Sequence, residues 1–204
     1  MGFGTIGGAN PDDITLNKTL AGALQIKPNL TYPAGDGSQL TNMSGNKAKG
    51  ILPTDATGGW DTAPTNLSNI TDDNYATACG TASKNYGSVT TGAEYIRYIK
   101  IDLGALKNIS NVTLNAVSSK SGAQANMIET FFTLEVSTDD SAYSLLFDGD
   151  GIANNTSNFI NAACARQVRY IRIGCVAKGT TSGSGTDIGN FTIYECQAIS
   201  PSSG

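Results

Sequence analysis

YIRYIKIDLG, Tyr95 to Gly104, alternates apolar and polar side chains and puts Ile99, Ile101 and Leu103 on one face. A period of two is the signature of a strand with one buried side. Outward from this stretch the same texture recurs. NVTLNAV aligns Val112, Leu114 and Ala116, and FFTLEVS aligns Phe132, Leu134 and Val136. YSLLFDG, VRYIRIGCVA and IGNFTIYEC continue it, with Gly-, Asp- and Asn-rich connections and no helical pattern between them. Six or more short strands joined in this way predict an all-β antiparallel sandwich.

Composition agrees with that reading. The 204 residues include 24 glycines and only 15% charged residues, and segments rich in Ala, Leu, Glu and Lys at helical spacing are missing. A chain of this length holds one ordinary domain and a smaller appendage, and a domain of about 150 residues buries roughly 70% of its unfolded surface. The net charge is −4 with no basic cluster, so neither nucleic acid nor anionic lipid is an expected partner. No histidine occurs, which removes the usual general base, the triads built on it and most zinc or iron sites. No run approaches about 18 apolar residues, and MGFGTIGGANPDD carries neither a basic start nor an apolar segment. The expectation is a non-enzymatic protein made in the cytoplasm and not inserted in a membrane.

Upstream the texture differs. Residues 1–28 hold two short alternating runs, DITL and ALQIK, which predict a small attachment hairpin. Residues 29–59 are rich in Gly, Asn, Ser and Pro and read as a neck. The sandwich is expected over 60–200, with 201–204 a tail.

In order and spacing, NITDDNYATA, YIKIDLGALKNISNVTL, FTLEVSTDDSAYSLLFDG, RQVRYIRIGC and IGNFTIYE resemble the discoidin, or coagulation-factor C-type, domain. That domain is a jelly-roll sandwich shared with galactose-binding carbohydrate modules, and the resemblance covers about residues 60–197. PDDITLNKTLAGALQIK and YPAGDGSQLTNM resemble short repeats of phage tail-fibre and receptor-binding proteins, which usually form trimers. Together these resemblances imply a virion fibre or tail-tip subunit: a homotrimer docked on other virion proteins through its amino terminus, carrying a domain that binds surface carbohydrate. The alternative is a structural decoration or joining protein of a virion, without a ligand.

In the discoidin-like family the loop corresponding to Asn69–Ala78 holds a structural calcium. Calcium takes six to eight oxygens in flexible geometry. Carried over by position, Asp72 gives its carboxylate, Asn69 and Asn74 their carbonyls, and Thr77 its hydroxyl and carbonyl, with Gly189 and Asn190 closing the site. Asp73 stands where the family has Gly, and Asn190 where it has Glu. The same residues also read as a turn whose Asp and Asn side chains cap their own backbone. Adjacent carboxylates on an extended chain point apart, so Asp72 and Asp73 do not converge as an acid–base pair.

For a sugar ligand, aromatic faces and nearby amides are needed, which selects Tyr75, Asn85 and Tyr86 in the loops. Both rings read equally as packing at the sandwich end. Trp60 reads as a plug there or as a sugar platform, either role suiting its large flat surface. Strand parity puts Cys175 inward but Cys196 outward with Thr192 and Tyr194, so the two are poor disulfide partners. Free thiols are expected for all four cysteines.

Overall fold

The computed structural model describes residues 45–123, 127–151 and 158–201; the expected attachment hairpin and most of the neck lie outside them. Among the described residues the secondary structure is strand, apart from one 3-10 turn at Leu67–Thr71. The strands are β1 (Thr54–Asp55), β2 (Ala82–Asn85), β3 (Ser88–Val89), β4 (Glu94–Ser121), β5 (Ile128–Ser137), β6 (Ser144–Asp148), β7 (Asn158–Gly179), β8 (Gly183–Ser184) and β9 (Ile188–Ile199). Every pairing is antiparallel, and the expected sandwich is present.

The two layers share their central strands. YIRYIKIDLG and NVTLNAV, which read as separate strands, are halves of β4, a strand of 28 residues. Its register with β7 breaks between Asp102 and Lys107 and again between Ile109 and Asn111. Gly104 turns the first corner at φ 75°, and Asp102 Oδ1 accepts its N–H at 2.8 Å. Ala165 makes the matching corner of β7 at φ 47°. One layer is therefore β6, β5, the second half of β7, the first half of β4, and β1. The other is the first half of β7, the second half of β4, β9 and β2. Bulges at corners are how a continuous strand changes sheets.

The core lies between the layers. Ile99, Ile101, Phe132, Leu134, Ile171 and Ile173 face Val112, Leu114, Ile160, Phe191 and Ile193 in one buried cluster. The Phe132 and Phe191 rings meet edge to face across it, 5.7 Å apart. Trp60 packs its ring edge on Phe191 at 6.1 Å. Cys79, Cys164, Cys175 and Cys196 are buried free thiols.

Two corrections follow from packing. Residues 46–55, expected in the neck, belong to the sandwich: Asn46 bridges to Ile199, Ala48 is fully buried, and β1 pairs with β4. Their small and polar side chains hide this, because backbone hydrogen bonds hold them. Cys196 faces the core, not away from it. Ala116 pairs with Ile193 while Asn115 pairs with Glu195, so β9 carries one extra residue, Tyr194, and parity reverses beyond it.

Candidate functional site

The bulge at Tyr194 also turns Glu195 to the outer face, directly beneath the Asn69–Ala78 loop. Buried to 0% exposure, the Glu195 carboxylate has no hydrogen bond on either oxygen. It lies against Asp72 and the Asn74 N–H, but that N–H is already committed to Asp72 Oδ1 at 2.9 Å. Burial first, then repulsion from Asp73 and Asp72, pushes the Glu195 carboxyl up to about 8. A buried carboxylate without a donor is costly unless it is neutralised or meets a cation.

The loop above it is a ring of oxygens. Thr77 Oγ1 donates to Asp72 Oδ2 at 2.8 Å and lies 2.9 Å from the Asn74 carbonyl, which also accepts the Thr77 N–H. Ala76 N–H bonds Asn74 Oδ1 at 3.0 Å, and Asn69 Nδ2 closes the base on the Ala78 carbonyl at 2.9 Å. Asp72, Asn74 and Thr77 are thus brought together, with Asn69 as the brace. Gly189 and Asn190 are not. They pair with Lys84 and Ser83 of β2, and Asn190 Nδ2 donates to Ser121 Oγ at 3.1 Å. Glu195, which plain alternation along β9 would send into the core, lies beneath the ring of oxygens instead.

Asp73 does not join the ring. It adopts φ 62° and turns to the sheet edge, where Asn46 Nδ2 and Gln197 Nε2 donate to Oδ1 and Lys49 pairs with Oδ2 at 3.0 Å. Three partners thus hold Asp73 in its left-handed conformation. Among the described residues no three His, Cys, Asp or Glu side chains converge as a metal-holding group. A cation here would rest on two carboxylates, Asp72 and Glu195, with carbonyl and hydroxyl oxygens completing its shell, and the partnerless Glu195 fits that use.

The loop carries Tyr75 across the outer sheet face. Its hydroxyl meets the Thr113 side chain of β4, and its ring lies against Phe159 of β7, with centroids 6.4 Å apart at 47°. Phe159 is 62% exposed, large for an aromatic side chain. Its strand partner is Asn115, and two residues further along the same face Asn161 accepts a 3.0 Å hydrogen bond from Asn111 Nδ2. That spacing is about 7 Å along the strand. Two rings beside two amides therefore share one open face. Phe159 escaped the sequence reading because NFINAA shows no clean alternation; its exposure is set by its pairing with the outward Asn115.

The other two expected ligand residues sit elsewhere. Tyr86 is buried, its ring 5.3 Å from that of Tyr95 in a small core with Val89, Ile128 and Ala177. Packing across the sandwich end is its role, since the Tyr86 N–H bonds the Asp187 carbonyl and turns the ring inward. Asn85 is exposed at the end of β2, where its Oδ1 caps the Gly87 N–H at 3.1 Å. No ring is left open beside it.

No protein-family model matches this chain. No curated protein matches it either. Among solved structures it is similar to a carbohydrate-binding module of Clostridium perfringens, CpGH89CBM32-4, in complex with GlcNAc-α-1,4-galactose. Identity there is 16%, with 76% of this chain and 93% of that one covered and a TM-score of 0.48. It is also similar to chitosan-binding module 2 of a Paenibacillus chitosanase/glucanase in complex with chitotriose, at 17% identity, 76% and 99% coverage and a TM-score of 0.45. The lectin domain of lectinolysin complexed with Lewis B antigen follows at 16% identity, 78% and 99% coverage and a TM-score of 0.41. These likenesses are distant, and the fold stands on the strand pairings above.

Proposed function

We propose that this chain is a non-catalytic glycan-binding protein whose ligand stacks on Tyr75 and Phe159. The carrying observation is the exposed Phe159 ring beside Tyr75, with the Asn111–Asn161 amide pair on the same face. Sugar rings stack their C–H faces on aromatic rings, while amides fix their hydroxyls. Asn111 and Asn161 are uncharged, which favours a neutral sugar. The sequence resemblance to tail-fibre repeats supports placing the domain on a homotrimeric virion fibre, attached through its amino terminus. Calcium in the Asp72–Thr77 loop, closed by Glu195, is the proposed structural ion.

A glycan array probed with the full chain and with Phe159→Ala tests the reading. Neutral oligosaccharides should bind, and the substitution should weaken binding about tenfold, the effect of losing roughly 1.4 kcal/mol. Binding undiminished in Phe159→Ala refutes the site. No binding across the array leaves the structural role in its place.

A further inference from the structure

We propose that a cation held by Asp72 and Glu195 sets the position of the Tyr75 ring, so that loop occupancy and glycan stacking are coupled. The proposal rests on the glycan-binding reading for its second half only.

Half of the ring pair is fixed and half is loop-borne. Phe159 and Thr113 are held in the β4–β7 ladder, paired with Asn115 and Asn161, whereas Tyr75 lies between Asn74 and Thr77, two of the loop's oxygen-bearing residues. The oxygens a cation would take already serve the loop's own donors. Asp72 Oδ1 accepts the Asn74 N–H at 2.9 Å, Asp72 Oδ2 accepts the Thr77 hydroxyl at 2.8 Å, and the Asn74 carbonyl accepts the Thr77 N–H at 3.2 Å. For Thr77 Oγ1 and Asp72 Oδ2 to face one cation, the hydroxyl proton must turn away, and the Asn74 carbonyl must re-aim. Both changes flank Tyr75 in the chain.

Glu195 supplies the pull. It is fully buried under the loop without a hydrogen bond, on a strand paired with β4 along its length. A cation between it and Asp72 replaces repulsion with two attractions and draws the loop onto the sheet, shifting the Tyr75 ring relative to Phe159. If each ligand favours the same loop position, each tightens the other by the same factor, 5- to 150-fold in typical cases.

The test uses calcium alone on the full chain labelled with 3-fluorotyrosine, the Tyr75 resonance being identified by its loss in Tyr75→Phe. Calcium should shift that resonance saturably in the wild type, with the midpoint matching calorimetric binding. Glu195→Gln and Asp72→Asn, each checked for folding by circular dichroism, should abolish both. Phe159→Ala should keep calcium affinity within about twofold. An unmoved Tyr75 resonance, or no calcium binding, overturns the proposal. A calcium-shifted Tyr75 in a protein that binds no oligosaccharide upholds the ring positioning and refutes the glycan reading separately.

Discussion

Glu195 decides more than any other residue, and simple alternation misplaces it together with Cys196. Counting by twos from Phe191 and Ile193 sends Glu195 into the core and Cys196 out of it; the extra residue at Tyr194 reverses both. A bulge leaves no local mark in FTIYEC, so the convergence of Asp72, Asn74 and Thr77 was legible and the carboxylate beneath them was not. Its environment gives a pH dependence of definite sign. In the metal-free protein the carboxyl is raised to about 8 from an ordinary value of 4.5. The folded state therefore binds the proton more tightly than the unfolded chain, and stability is lost as pH rises between those values. With chelator present, the melting temperature should fall from pH 5 to pH 8. Glu195→Gln should remove the fall, and added calcium should oppose it by binding only the folded state. A chelated wild type whose melting temperature is flat over that range contradicts the placement of Glu195.

At the scale of elements, periodicity found the strands but not their continuity. The alternating segments of β4 are all present, yet LGALKNIS gives no sign that the chain passes from one layer to the other without leaving the ladder. Hydrophobic pattern reports which face is buried, and a corner changes the layer while keeping the face inward. Gly104 marks that corner at φ 75°, with nothing within 4 Å of where a Cβ would stand. Gly104→Ala should therefore cost backbone strain alone, about 1–2 kcal/mol, or roughly 2–8 °C in melting temperature. A fully wild-type melting curve would show that the corner does not need its left-handed residue. By contrast Tyr86 looked exposed because it follows the polar run ASKN, and only the closing of β2 on β9 turns it inward.

For the whole molecule, the sandwich begins earlier than composition suggests, since Asn46 supplies a side chain to Asp73 and accepts the Ala198 N–H at 3.0 Å. A chain starting at Gly45 should fold with an unchanged melting temperature, whereas one starting at Pro53 should lose Ala48 from the core and melt lower. The full chain should be trimeric by light scattering and the Gly45 form monomeric, because a short hairpin and a Gly-rich tether cannot support a core without partners. A monomeric full chain contradicts the fibre reading and leaves the sandwich intact. The central claim, that sugar is bound on the outer face between the Asn69–Ala78 loop and β7, is tested most directly by nuclear magnetic resonance. The best oligosaccharide from the array is titrated into the isotopically labelled Gly45 form with calcium present. Saturable shifts should cluster at Tyr75, Asn111, Thr113, Phe159 and Asn161; shifts confined to Asn85, Tyr86 and the opposite end of the sandwich would contradict the account.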